Sequence, residues 1–328
     1  MIKNYNSSFG QKIHDFIEMK KNLGFKFKTS AVILSLIDRM AIRTGESSIG
    51  ITKAFADKWC EKQPNESGGY RYTRIMILAQ FSSYLVDLGI SSYLPKHPVY
   101  KKSTFIPYIY SPEEIEAIFK ASDELKLQSI TMNTSIFSMP ALFRLLYSTG
   151  MRIGEALALK KNDILLEEQC ILIKDSKSGK ERIIPVSDSL INVINDYLLY
   201  REMLPLNGSI SEHFFIKLDG NKFNHACVGV WFRKCLERAS ITYQGQGSGP
   251  RIHDLRHTFA VTALAEMARA GIDLYASLPV LSCYLGHQSL DSTNHYVRLT
   301  ANMFPELIRD VDMISLDVFP KHRNYEAD

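Results

Sequence analysis

The stretch from residue 94 to residue 110 decides how this chain can fold. Pro95, Pro98 and Pro107 punctuate it, Lys101 and Lys102 lie between them, and its apolar residues keep no helical period. Proline fixes its own backbone and holds its predecessor extended, so no long helix runs through such a segment. Directly after it, Ser111-Pro112-Glu113-Glu114 opens a helix. Ser111 serves as N-cap, Pro112 fits the first helical position and Glu114 completes a capping box. A chain of 328 residues is also longer than one core ordinarily serves. The expectation is a domain over residues 1–93, a linker over 94–110 and a second domain with a tail over 111–328.

The first domain reads as four helices. Phe9, Ile13, Phe16, Ile17 and Leu23 recur at helical spacing before Gly24, and Val32, Ile33, Leu36, Ile37 and Met40 before Gly45. Thr52 caps a short third helix through Phe55 and Trp59, and Ile75, Leu78, Phe81, Leu85 and Leu88 make a fourth, ended by Gly89. Charge is unevenly divided: residues 1–110 hold 16 Lys and Arg against 8 Asp and Glu, while the remainder holds 23 against 27. A basic front on a mildly acidic body suits a polyanionic partner.

The second domain changes period once. Ile164-Leu165-Leu166, Cys170-Ile171-Leu172-Ile173 and Arg182-Ile183-Ile184-Pro185-Val186 are short apolar runs, the last two joined by the turn-forming Asp175-Ser176-Lys177-Ser178-Gly179-Lys180. They predict antiparallel strands in an otherwise helical domain, with helices at about 188–204, 224–239, 254–270, 274–285 and 289–298. The fold class is mainly α with a small antiparallel sheet.

No run of 18 uncharged apolar residues occurs and the N-terminus lacks an apolar signal core, so a cytoplasmic protein without a membrane partner is expected. The five cysteines are odd in number, form no CxxC and match no zinc spacing, which predicts reduced thiols.

Four clusters carry chemistry. Thr149-Gly150-Met151-Arg152-Ile153-Gly154-Glu155 puts an arginine at a helix start behind a glycine turn. Ser176-Lys177-Ser178-Gly179-Lys180-Glu181-Arg182 puts a lysine at a hairpin tip. His253-Asp254-Leu255-Arg256-His257 sets His253 and Arg256 one turn apart on one helix face. Leu285-Gly286-His287-Gln288-Ser289 is followed by Thr293-Asn294-His295-Tyr296. Singly, each has an ordinary explanation: a helical tyrosine packs, a turn lysine is solvated, a His-x-x-Arg is a surface pair.

Together and in this order, the clusters resemble the tyrosine recombinase, or phage integrase, family, which carries Arg, Lys, His-x-x-Arg, Leu-Gly-His and a nucleophilic Tyr. The matching positions are Arg152, Lys177, His253, Arg256, His287 and Tyr296. The stretch Asp273–Leu281 is similar to a subgroup borne by transposons and other mobile elements. The resemblance implies a helical, SAM-like core-binding domain followed by a catalytic domain, the two gripping duplex DNA. It also implies a covalent 3′-phosphotyrosyl intermediate at Tyr296, a dimer on each site and a tetramer in synapsis. Accessory recombinases or DNA-bending proteins are candidate further partners.

The chemistry of the residues agrees with this. Strand exchange must keep the energy of the phosphodiester, and a covalent protein intermediate does so by splitting one transfer into two. Two arginines with planar forks hold the non-bridging oxygens as charge gathers on them, the role expected of Arg152 and Arg256. The resemblance implies that Lys177 protonates the leaving 5′ oxygen, with Lys180, three residues on, as the alternative. His253 is the expected acid/base partner of the Tyr296 hydroxyl, His287 a donor to the phosphate, and Glu155 a support for Arg152. Arg182 is expected to be structural or to contact phosphate, and His257 and His295 to have packing roles. No cofactor or metal is called for, since these side chains cover the charge. Two other readings compete: a type IB topoisomerase, with the same covalent chemistry and no synapsis, and a DNA-binding accessory protein whose site has decayed.

Overall fold

A computed structural model describes residues 5–99, 106–126, 134–174, 181–204, 211–244, 249–287, 289 and 291–304. The chain divides into two compact units, residues 1–104 and 105–328.

The first unit is built from α1 (Gly10–Asn22), α2 (Lys28–Thr44), α3 (Lys53–Cys60) and α4 (Gly68–Asp87). Their inner faces meet in one core of Phe9, Ile13, Phe16, Ile33, Leu34, Ile37, Phe55, Trp59, Leu78, Phe81 and Leu85. The Thr52 hydroxyl accepts from the Phe55 amide at 3.2 Å, the expected cap of α3. Three residues assigned to apolar faces lie outside the core, among them Leu88, which caps the end of α4 and is exposed. Leu23 follows the last turn of α1 and points to solvent, and Val32 sits off the α2 face that carries Ile33, Leu34 and Ile37.

The second unit begins before the expected boundary. Tyr108 and Tyr110 belong to it although they fall in the predicted linker. Tyr110 is buried; its amide donates to Thr258 Oγ1 at 3.0 Å and its hydroxyl to the Arg251 carbonyl at 3.0 Å. Then come α5 (Pro112–Asp123), α6 (Met139–Thr149), α7 (Ile153–Ala156), the strands β1 (Ile164–Leu165), β2 (Cys170–Ile173) and β3 (Arg182–Pro185), and α8 (Asp188–Glu202). α9 (His225–Arg238), α10 (Asp254–Arg269), α11 (Leu274–Leu285) and α12 (Asp291–Met303) follow. The capping box forms at α5: the Glu114 amide donates to Ser111 Oγ at 3.2 Å and the Ser111 amide to Glu114 Oε2 at 2.8 Å.

The strands make one antiparallel sheet in the order β1-β2-β3, with Ile173 opposite Arg182 and Cys170 opposite Pro185. Ile171, Ile173 and Ile184 face the core, alongside Leu142, Phe143, Leu145, Leu146 and Phe232. A second, smaller cluster joins α10, α11 and α12 through Val261, Leu264, Leu278, Leu281, Leu285 and Tyr296. The Asp273–Leu281 stretch forms the start of α11: the Asp273 carboxylate caps the Ala276 amide at 2.9 Å, and Leu278 and Leu281 are buried. Among the described residues no helix is long and apolar enough to cross a membrane.

Candidate active site

The site is assembled at two glycine turns. α6 ends at Gly150, whose φ of 58° lies in the left-handed region, and α11 ends the same way at Gly286, with φ 66°. Glycine adopts that backbone without strain, so each helix stops abruptly and hands the next residues to the site. Arg152 follows the first turn and His287 the second. A side chain at Gly286 would also strike the Arg182 guanidinium, 2.9 Å from where its Cβ would stand.

One carboxylate organises two cations. Glu155 Oε1 accepts from Arg152 Nη1 at 2.9 Å and Oε2 from Arg182 Nη2 at 2.7 Å. Arg152 Nη2 also reaches the Gly286 carbonyl at 3.2 Å, and Arg182 Nε the Tyr284 carbonyl at 2.9 Å. Burial alone would raise the Glu155 carboxyl, but the hydrogen bonds and charges of Arg182 and Arg152 outweigh it and hold the group below its usual range. Glu155 therefore stays ionised and ties α7, β3 and the end of α11 together.

Arg256 is built differently. It is 3% exposed. Its Nη1 donates to the Gly150 carbonyl at 2.7 Å, and its Nη2 to the Leu285 carbonyl at 2.9 Å and to His287 Nε2 at 2.9 Å. No carboxylate among the described residues lies within ion-pair distance of it. Burial first, then the like charge of Arg152, lowers its guanidinium to about 10, so it remains a cation at neutral pH. It is thus a buried positive charge fixed by two carbonyls and an imidazole.

The remaining groups surround Tyr296. His287 Nε2 accepts from Arg256, so the other nitrogen carries the hydrogen: Nδ1 donates to Thr293 Oγ1 at 2.7 Å. Burial and the charges of Arg256 and Arg152 hold this imidazole neutral, near 4. The Tyr296 ring is 1% exposed, and its hydroxyl lies 2.9 Å from His257 Nδ1. Burial pushes the phenol up to about 12, while the neighbouring Arg256 guanidinium pulls the other way and favours the phenolate. His257 is lowered to about 3, by burial and then by His253 and His295. His253 is exposed at the rim; crowding by protein atoms, with Arg256, Arg251 and Arg152 adding their charge, lowers it to about 4.

Five of the six catalytic residues expected from sequence thus converge, together with Glu155. Lys177, and Lys180 beside it, lie outside the described residues. Two placements differ from expectation. The hydroxyl of Tyr296 is met by His257 and not by His253, because His257 is the residue on α10 turned inward toward α12. Nε2 of His287 is directed at Arg256. Sequence reasoning gave His257 a packing role, although its position four residues after His253 put it on the same helix face. Arg182 proves to be a structural tie, the first of its two expected roles.

Two cations, a phenol and imidazoles that accept hydrogen bonds at neutral pH form a centre for transferring a tetrahedral anionic group to a tyrosine oxygen. Comparison with known proteins agrees. Residues 109–303 match the phage integrase family. A putative integrase/recombinase, y4rB of Sinorhizobium fredii (strain NBRC 101917 / NGR234), is 27% identical over 308 residues, covering 93% of this chain and 98% of the relative. Among solved structures, the Tn1549 transposon integrase in complex with transposon right end DNA matches with a TM-score of 0.62 at 16% identity, covering 90% of this chain and 98% of that one. XerH recombinase bound to palindromic difH substrate matches with a TM-score of 0.59 at 21% identity, covering 85% and 77%. At these identities the structural matches show the fold. The chain belongs to the phage integrase family and is a tyrosine-type site-specific DNA recombinase.

Proposed function

We propose that Tyr296 attacks the scissile phosphate of duplex DNA and holds the 3′ end as a phosphotyrosine while strands are exchanged. The observation that carries this reading is Arg256: a buried cation with no carboxylate partner among the described residues, set against the hydroxyl of a buried tyrosine. Leaving a buried charge uncompensated is costly, and a phosphate is the anion that its planar fork fits. Arg152 holds the second non-bridging oxygen, kept in place by Glu155. Lys177 protonates the leaving 5′ oxygen, with Lys180 as the alternative. His253 and His287 border the phosphate. The basic first unit adds affinity through the DNA backbone, as phosphate contacts generally do.

Two protomers on each recombination site and four in synapsis complete the proposal, with the chain acting on the ends of a mobile element. The y4rB likeness spans nearly the full length of both chains, and the matched Tn1549 integrase is a transposon protein. Accessory recombinases or DNA-bending proteins would join at that stage.

The test is covalent capture. A half-site nicked next to the cut should trap the wild-type chain as a band that survives a denaturing gel. Tyr296→Phe should lose that band completely and still shift the same DNA in a native gel. A band persisting in Tyr296→Phe would refute the assignment.

A further inference from the structure

We infer that Arg182 is a positioning residue for the reaction: it holds both of the groups that hold the Arg152 guanidinium. The inference rests on the proposed contact between Arg152 and the scissile phosphate. The Arg152 side chain is 27% exposed, and a long side chain in that setting keeps its rotamer freedom unless partners remove it. Its guanidinium has two such partners. Nη1 donates to Glu155 Oε1 at 2.9 Å, and Nη2 to the Gly286 carbonyl at 3.2 Å. The first comes from its own turn of chain, the second from the end of α11.

Arg182, at the start of β3, reaches both. Its Nη1 and Nη2 donate to the two oxygens of Glu155 at 3.2 and 2.7 Å. Its Nε donates to the Tyr284 carbonyl at 2.9 Å, two residues before Gly286. The guanidinium also lies against Gly286 itself, where a Cβ would stand 2.9 Å from Nη1 and 3.1 Å from Cζ. The contacts close into a ring that runs from Arg182 through Glu155 and Arg152 to the Gly286 turn and back. Only the planar fork of an arginine offers three nitrogens at fixed angles for such a junction. All three face protein oxygens and the side chain is 10% exposed, so Arg182 acts on the phosphate through Arg152. Its effect is preorganisation: the donors of Arg152 are aimed before charge develops on the phosphate oxygens.

The experiment uses the full chain, a nicked half-site and single-turnover capture at saturating protein. Arg182→Ala should slow adduct formation by about 10–10²-fold, the effect of a misplaced group. Its affinity for the half-site, read in a native gel, should stay within a few-fold of wild type. Arg182→Lys keeps a cation beside Glu155, which guards against simple loss of the fold. A point donor does not span the carboxylate and the Tyr284 carbonyl together, so this variant should still be about tenfold slow. Double variants then separate positioning from general damage. In an Arg152→Ala background, Arg182→Ala should slow the reaction by no more than a few-fold further, because the group it positions is gone. An Arg256→Ala background guards against a floor in the assay, and there the added defect should remain about tenfold or more. A near-normal rate in either single variant, a loss of affinity that accounts for the whole defect, or a full added defect in the Arg152→Ala background would each overturn the inference. A normal rate in Arg152→Ala would overturn the phosphate contact on which it rests. An adduct that survives in Tyr296→Phe would overturn the nucleophile instead.

Discussion

Each unit of the molecule buries an arginine to the same depth, and the two are opposites. Arg74 in α4 and Arg256 in α10 are both 3% exposed. Arg74 is closed on every side: its Nε and Nη2 grip Glu66 at 2.8 and 3.1 Å, it donates to the carbonyls of Trp59 and Glu61, and it lies over the Trp59 ring. Arg256 has carbonyls and an imidazole but no carboxylate among the described residues, and a tyrosine hydroxyl beside it. Burial therefore does not separate a structural arginine from a working one. What separates them is whether the protein supplies the counter-charge. Arg74 has its anion already and holds α3 to α4. In the proposed reaction Arg256 would meet an anion that arrives with the substrate.

This contrast is broken most directly by removing each arginine. Arg256→Ala should slow single-turnover adduct formation by on the order of 10²–10³-fold, as loss of one oxyanion donor does. Arg74→Ala should leave the rate of the chemical step at saturating protein within a few-fold of wild type. In stability the ranking inverts. Stripping one partner from a buried ion pair costs about 3–5 kcal/mol, so Arg74→Ala should lower the unfolding midpoint of the first unit far more than Arg256→Ala lowers that of the second. The chain has two tryptophans, Trp59 in the first unit and Trp231 in the second, so fluorescence of single-tryptophan backgrounds reads the two units separately. Equal losses of stability, or a large catalytic defect in Arg74→Ala, would erase the distinction.

Acid should separate the units by a smaller margin. His257 and His287 are held in the folded state at about 3 and about 4, below the ordinary 6.5, so the unfolded chain binds their protons first. Their contribution is complete above about 6.5 and is lost as pH falls from there toward the folded values. Glu66 in the first unit is also depressed, chiefly by its hydrogen bond to Arg74, but from 4.5. Its contribution fades only below that point. The second unit should thus begin to lose stability near pH 6, and the first near pH 4. Urea titrations across pH 7 to 4 check this. His257→Ala and His287→Ala should each flatten the curve of the second unit in the upper window, and unchanged curves would contradict the assigned burial.

The contrast also shows what a sequence can and cannot display. Elements governed by local rules were legible: the caps at Thr52 and Ser111, the helix stops at Gly45 and Gly89, and the change of period that gives β2 and β3. The grouping of Arg152, Arg256, His287 and Tyr296 was legible through ordered motifs. Partners across the fold were not. Arg74 and Arg256 look alike in a sequence, since nothing in the chain says which will meet a carboxylate; Glu66 lies 8 residues before Arg74, just ahead of the Ser67 cap of α4. The preference of Tyr296 for His257 over His253 depends on the rotation of α10 against α12, which the sequence leaves open. Tyr110 was hidden by the proline and lysine signal around it, since its burial depends on Thr258 and Phe232 far along the chain.

The central claim is that the missing counter-charge of Arg256 is the scissile phosphate. A half-site carrying a methylphosphonate at that position tests it, because the neutral group replaces a non-bridging oxygen and removes the charge that Arg256 is proposed to meet. Single-turnover adduct formation would be compared for wild type and Arg256→Ala on both substrates. The expected result is a deficit of about 10²-fold or more on the phosphate that shrinks to a few-fold on the methylphosphonate. A deficit of the same size on both substrates would contradict the account, since Arg256 would then act on the reaction through something other than the charge of the phosphate.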